Sequence, residues 1–368
     1  MSAVERMLGR LEHLVMAETP SGDAGRLRAA HVLLQDWGQE ALGRRGEERV
    51  VDAVPHLLWE AAAQPRVLVL GHLDTVFPAG VTRQRPFAID GDRVTGPGVF
   101  DMKAGLVVAL EALSRVVDPS HVSLLVTGDE ETGSSTSRAL IEDVARGCSA
   151  VLVLEPSLEG ALKTGRKGGS IYRVGFEGRA AHAGLEPELG RNALIELARL
   201  VLWCESVADP GLGTTVTPTR AESGTTNNVV PAFGELVLDV RASTAAELDR
   251  VHRALVGRVP VDPGVRLVIG GGLNRPPLEP TSSTTLVELA RAVAVREGLP
   301  LPRTTSVGGA SDANFTAALG IATLDGLGAV GAGAHTDQEW VEIASLERQV
   351  SMVAGLIEDL RAPDNQQH

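Results

Sequence analysis

The chain has 368 residues, 43% hydrophobic and 22% charged, with a formal net charge of −13. That is ordinary globular composition, long enough for two domains with a core in each. The acidity excludes a basic phosphate-binding face, and 3% aromatics leave no base-stacking platform, so nucleic acid is not an expected partner. No stretch reaches the roughly 18 uninterrupted apolar residues of a membrane span. The opening MSAVERMLGRLEHLVMAE lacks an apolar signal core. A cytoplasmic protein without a membrane partner is therefore expected. Cys148 and Cys204, the two cysteines of the chain, lack a thiolate metal spacing and read as buried free thiols.

In chain order, residues 4–18 and 24–42 show helical periodicity, with Asp23 as N-cap and the turn Thr19-Pro20-Ser21-Gly22 between them. Three short Val- and Leu-rich runs come next, at 67–71, 123–128 and 150–154. Separated by helical segments, they read as parallel strands buried on both faces. Between the first two lies a helix with Leu106, Leu110, Leu113 and Val117 on one face, and Asp101 stands where its N-cap would be.

The character changes near Gly168. Strand 170–175, helix 192–206, strands 213–222 and 234–241, helix 245–257 and strand 265–270 succeed one another, and polar and apolar residues alternate in 235–241. Alternation implies a sheet with one open face, and the order βαββαβ is a compact ferredoxin-like unit. After Pro276-Pro277 long helices and short apolar strands resume, and the polar tail 362–368 is expected to fray. The expected fold class is α/β: a larger domain with a mostly parallel central sheet (1–167 and 277–368), interrupted by a smaller α+β insert (168–276).

Each apolar run ends in chemistry. The first leads into His72-Leu73-Asp74, the second into Asp129-Glu130-Glu131 and the third into Glu155. Ligands of parallel sheets bind beyond the carboxyl ends of the strands. Gly96–Asp101 adds Asp101, and the glycine-rich segment 331–337 adds His335. Singly these are weak: a strand-end histidine is usually structural, a Glu pair is usually solvated, and Asp101 is an ordinary cap. Together, two imidazoles and several carboxylates at one sheet edge would leave uncompensated charge that two divalent metals neutralise. A mixed N/O ligand set suits zinc, with three protein ligands per metal and an open position, although cobalt or manganese would also fit. A carboxylate bridging two metals is the usual co-catalytic arrangement.

The motifs GHLDTV, GPGVFDMKAG, GDEETGS, LEPS, AAHAG and GAHTD resemble, in order and over nearly the whole chain, those of the co-catalytic zinc peptidase and deacylase family. That family includes glutamate carboxypeptidase, acetylornithine deacetylase and succinyl-diaminopimelate desuccinylase, and the chain looks most like the glutamate carboxypeptidase branch. Met102 stands where some members carry a second acidic residue, a position that holds no metal in the family. The resemblance implies a zinc-peptidase catalytic domain with two Zn2+, an insert that serves as dimerisation and lid domain, and a cis peptide after Asp101. By position, His72, Asp101 and Glu155 would hold one metal, and Asp101, Glu131 and His335 the other. Asp74 would orient His72. Glu130 would be the general base, taking a proton from the metal-bridging water and giving it to the leaving nitrogen. His182, in Ala180–Gly184, would stabilise the oxyanion in the other subunit's site, so a homodimer through the insert is implied.

The same resemblance implies a peptide or N-acyl amino acid substrate, cleaved at an amide bond beside a free carboxylate. Asn228 and Arg241 match the positions that bind that carboxylate, with Arg supplying a planar fork. A salt bridge to Asp239 is the alternative for Arg241. Gly308 and Gly309 match a glycine turn whose backbone faces the substrate. Two cations of the glutamate-cleaving branch are replaced here, one by Ser306 and one near Ala161. Arg303, Arg166 or Lys167 are the residues that could compensate. Two alternatives stand beside this reading. One is a dipeptidase or aminopeptidase that reads a free amine. The other is an inactive metal-binding scaffold, which the presence of all five ligands and Glu130 disfavours.

Overall fold

The computed structural model describes residues 2–361, so the tail 362–368 lies outside them. The chain divides into two compact units, one running through Gly165, Glu279–Val307 and onward from Ser311, the other made of Arg166–Leu278 and Gly308–Ala310.

The first unit opens with helices Ala3–Ala17 and Ala24–Leu42. Ser2 and Glu5 form a reciprocal cap on the first, and Asp23 accepts the N–H of Arg26 at 3.0 Å on the second. Its sheet runs in the order Glu47–Val51, Val54–Trp59, Val122–Thr127, Val67–His72, Ala150–Val153, Ala322–Leu324. The last four strands are parallel, and the first two join antiparallel at one edge. The three strands read from the apolar runs are all there, fully buried. The edge hairpin was not legible. Its turn uses Asp52 and Ala53 at φ 45° and 69°, so the glycine that normally marks such a turn is missing.

Register makes the strand ends level. His72 pairs with Thr127, and Leu70 with Val153, so the residues just beyond these strands all emerge at the same edge.

The helix expected after Asp101 spans Ala104–Leu113 and is buried on every side rather than amphipathic. Val117, expected on its buried face, lies beyond its end and is 83% exposed. Asp101 is not the cap either. Lys103 holds that position without a capping bond. Asp101 sits in a wide turn, Val99–Lys103, at non-helical φ −114° and ψ 99°, and its peptide bond to Met102 is cis. Gly105 lets this helix reach the sheet: a Cβ there would lie 2.1 Å from the carbonyl oxygen of Leu154.

A second, small sheet runs Gly331–Ala332, Trp340–Glu342, Arg93–Thr95, Ala88–Asp90. Strands of two or three residues carry too little periodicity to be read from sequence.

The second unit is a four-stranded antiparallel sheet in the order Thr215–Ser223, Phe233–Ala242, Gly168–Glu177, Arg266–Arg275, with helices Ala193–Val207 and Ala245–Val256. The chain order is βαββαβ. Along Phe233–Ala242 every second residue is buried, and the buried set (Tyr172, Val174, Phe176, Leu236, Leu238) packs with Leu197, Leu200 and Leu248 of the helices. The last strand continues past 270 through three glycines. Gly271 is at φ 84°, where a Cβ would lie 2.1 Å from the Ile171 carbonyl oxygen. Glycine here marks close backbone approach rather than a strand end.

Candidate metal centre

The site lies in the first unit, at the level strand ends. His72 is the last residue of its strand. Its Nε2 lies 3.3 Å from Asp101 Oδ1 and 3.6 Å from Glu155 Oε1. The other oxygen of Asp101, Oδ2, lies 3.3 Å from His335 Nε2, which is also 3.1 Å from Glu131. The five side chains thus alternate: Glu155, His72, Asp101, His335, Glu131. Glu130 is close by, and single ligand atoms of His72, Glu130 and Glu155 lie within 4.8 Å of one another, as do those of His72, Asp101 and Glu131.

The supports come from several segments. The Nδ1 of His72 meets the main-chain carbonyl of Asp74 at 3.0 Å. The Asp74 carboxylate is farther away, at 3.5 Å, outside ordinary hydrogen-bond range. The hydrogen-bond contact of Asp74 with the ring is therefore made by its backbone. Its carboxylate instead accepts the hydroxyl of Ser21 at 2.7 Å and the N–H groups of Glu130 and Glu131 at 3.1 and 3.2 Å. Behind the same turn, Asp129 accepts the N–H and hydroxyl of Thr136 at 2.7 and 2.8 Å. Sequence reasoning missed Ser21, Thr136 and Glu339; the last is 1% exposed and lies against the turn that carries Asp101. Hydroxyls far away in sequence leave no local signal. Glu339 had one, its place in the segment that carries His335.

The electrostatics derive from the alternation. Burial works to raise the Asp101 carboxyl, but bonds to His335 and His72 outweigh it and hold the group well below the usual carboxylate range. Burial works to lower His72, yet Asp101, Asp74 and Glu130 raise it well above an ordinary imidazole. Bonds to Asp101 and Glu131 raise His335 to about 10. Two imidazoles so strongly drawn to positive charge mark a place where carboxylates exceed cations. The donor set of imidazole nitrogens and carboxylate oxygens, with Asp101 facing both rings, fits a pair of divalent metals.

The remaining predicted residues belong to the second unit. His182 is exposed, and its Nδ1 accepts the N–H groups of Gly184 and Leu185 at 3.1 and 3.2 Å. That assigns the ring proton to Nε2. Asn228 lies beside this loop, its carbonyl accepting the N–H of Ala183 at 2.8 Å. The fork of Arg241 is engaged by Asp239 at 2.8 and 2.9 Å, so the salt bridge is the state observed, and that bond raises the guanidinium further. The Gly308-Gly309 turn is held by Arg166, which donates to the carbonyls of Gly309 and Ala310 at 3.1 and 3.3 Å. The second unit also holds a cavity of about 200 Å³ lined by Tyr172, Leu248, His252 and Leu273, none of which has a predicted role.

A cluster of carboxylates around two imidazoles at the ends of parallel strands defines a metal-dependent hydrolase. The chain belongs to peptidase family M20/M25/M40, whose sequence pattern matches residues 68–359. It is similar to carboxypeptidase G2 of Pseudomonas sp. (strain RS-16), 32% identical over 96% of this chain and 88% of the relative. A succinyl-diaminopimelate desuccinylase of Acidiphilium cryptum (strain JF-5) is 32% identical over 81% and 84% of the two chains. Among solved structures, the fold is shared with aminopeptidase PepT from Bacillus cereus ATCC 10987 (TM-score 0.74, 21% identity, 98% and 99% coverage). It is shared as well with an M20 family metallo-carboxypeptidase from Sulfolobus solfataricus (TM-score 0.70, 18% identity, 97% and 99% coverage). Among the described residues no helix is long and apolar enough to cross a membrane.

Proposed function

We propose that the protein is a zinc-dependent hydrolase that cleaves an amide bond beside a free carboxylate, as a carboxypeptidase or an N-acyl-amino-acid amidohydrolase. The observation that carries the metal assignment is that the two oxygens of Asp101 face different imidazoles, each at 3.3 Å. His72, Asp101 and Glu155 would hold one metal, and Asp101, Glu131 and His335 the other. Glu130 also falls near His72 and Glu155, but the five other side chains would complete both ligand sets, which leaves Glu130 for proton transfer. A bound metal pair would lower the pKa of a water and polarise the scissile carbonyl. Glu130 would take a proton from the attacking water and deliver it to the leaving nitrogen. Asp74 holds His72 and the Glu130-Glu131 turn in place.

The second unit is assigned the reading of the substrate. His182, with its proton on Nε2, has the form of an oxyanion donor and would act in the site of a second subunit. Asn228 and Arg241 would bind the substrate carboxylate, Arg241 exchanging Asp239 for it, and the Gly308-Gly309 turn would face the substrate with its backbone. A homodimer through this unit is supported by the apolar stripe that helix Ala193–Val207 leaves open: Leu194, Ile195 and Leu202 are 43%, 49% and 68% exposed. A reducing compartment such as the cytoplasm suits two buried, unpaired cysteines.

Glutamate is not the preferred leaving residue in this reading. Ser306 and Ala161 replace two cations. Arg166 is committed to the carbonyls of Gly309 and Ala310, and Arg303 to that of Glu159 at 2.7 Å. The experiment is a hydrolysis screen of zinc-loaded protein with N-acyl amino acids and dipeptides, each paired with its C-terminally amidated form. The expected result is cleavage of N-blocked substrates, abolished by amidation, with small or apolar leaving residues ahead of glutamate. Cleavage confined to substrates with a free amine would replace this reading by that of a dipeptidase or aminopeptidase.

A further inference from the structure

We infer that Glu339 is a positioning residue that ties the turn carrying Asp101 to the loop carrying His335, and so sets the spacing between the two metal positions. The inference rests on the two-metal reading of the site. Glu339 is 1% exposed and stands four residues beyond His335. Its Oε1 accepts the N–H groups of Phe100 and Asp101, both at 2.9 Å, and its Oε2 accepts that of Gly98 at 2.8 Å. Three donors converge on one carboxylate, the side chain best suited to accept them all. The N–H of Asp101 is thereby fixed directly behind the side chain that faces both imidazoles.

The other end of the tie is equally defined. Between His335 and Glu339 the chain folds back tightly. Gly333 is at φ 81°, where a Cβ would lie 2.5 Å from the carbonyl oxygen of Gln338. Thr336 donates its N–H to Gly333 at 3.0 Å, and its hydroxyl accepts the N–H of Gln338 at 3.2 Å. Strand Trp340–Glu342 then pairs with Gly331–Ala332 on one side and with Arg93–Thr95 on the other. The small sheet thus brings the two segments alongside, and Glu339 makes a direct link from the histidine loop to the aspartate turn. Metal pairs need a separation of about 3.5–4 Å, which two loops from distant parts of the chain hold only when joined.

Loss of this link should fall unequally on the two metals. The position of His335 and Glu131 depends on Glu339 through both Asp101 and the histidine loop. The position of His72 and Glu155 depends on it through Asp101 alone, because His72 ends a central strand and Glu155 comes closely after another.

The test is a titration of metal-free wild type and Glu339→Gln with Co2+, followed by visible absorption and by heat. Wild type should show two binding events. In the variant one event should keep nearly its original affinity, and the other should weaken by about 10–100-fold, the usual effect of removing a group that supports a ligand. A general loss of stability would weaken both events together, so the ratio of the two affinities is the readout. An unchanged ratio overturns the inference. If Glu339→Gln does not fold, Glu339→Asp, which keeps the charge but is one methylene shorter, is judged by the same ratio. Wild type that binds no Co2+ removes the two-metal reading itself. Two wild-type events with an unchanged ratio in the variant remove this inference alone.

Discussion

Asp74 accepts the backbone N–H of Glu130 at 3.1 Å. The same carboxylate accepts the N–H of Glu131, and the carbonyl of Asp74 meets the ring of His72. One fully buried residue therefore joins the strand that ends in a proposed ligand, His72, to the turn that carries another, Glu131, and the proposed base. Asp74→Asn would aim an amide at an N–H it now accepts. The expected outcome is a kcat about 10–100-fold lower, with KM and metal content nearly unchanged. A wild-type kcat would show that the turn holds its shape without this residue.

Glu130 and Glu131 are adjacent carboxylates with different surroundings. Glu131 lies 3.1 Å from His335, whereas Glu130 groups with His72 and Glu155. Glu130→Gln should retain both metals by elemental analysis and lose turnover by about 10²–10⁴-fold, the usual contribution of a general base. Glu131→Gln should lose metal first. Equal metal loss in the two variants would remove the distinction between base and ligand.

The raised histidines predict a proton cost to metal binding. In the metal-free protein His335 is lifted to about 10 by Asp101 and Glu131, against about 6.5 in an unfolded chain. Its pairing therefore stabilises the metal-free fold fully below about 6.5, and that contribution fades as pH rises through about 10. Metal needs the neutral ring, so its binding displaces this proton, and His72, also raised, adds to the effect. Zinc affinity should climb with pH throughout the range below about 10. Calorimetry in buffers of different ionisation enthalpy should show net proton release at pH 7.5. A binding heat independent of the buffer would refute the linkage.

The central strands and the convergence of the proposed ligands were legible for one reason. Buried parallel strands are continuous apolar runs, and the residues just past the end of each run must emerge at the sheet edge. His72, Glu131 and Glu155 were readable in this way, and His335 by its glycine-rich loop. Asp101 could be placed at the site but not in its conformation. A residue ahead of a helix looks like a cap in sequence, and only coordinates show that it lies in a turn of its own. The supports were largely illegible. Asp74 reaches Ser21, and Glu339 reaches Gly98, across distances in sequence that no periodicity spans. The edge hairpin, with Asp52 and Ala53 at its tip, hid for want of a glycine.

His182 offers the sharpest test of whether two subunits build one site. Its Nδ1 is bonded within its own loop, to the N–H groups of Gly184 and Leu185, so His182→Ala should leave the melting temperature nearly unchanged. If its Nε2–H serves an oxyanion, turnover should fall by about 10²–10³-fold, the typical effect of removing one such donor. Mixing this variant with Glu130→Gln separates action in cis from action in trans. In a mixed dimer one site has an intact Glu130 and faces an intact His182 from the other chain. Random exchange should then restore about a quarter of wild-type activity to two nearly inactive proteins, because half of the dimers are mixed and each carries one complete site. If size measurements show that the subunits exchange and no activity returns, His182 does not act across the interface.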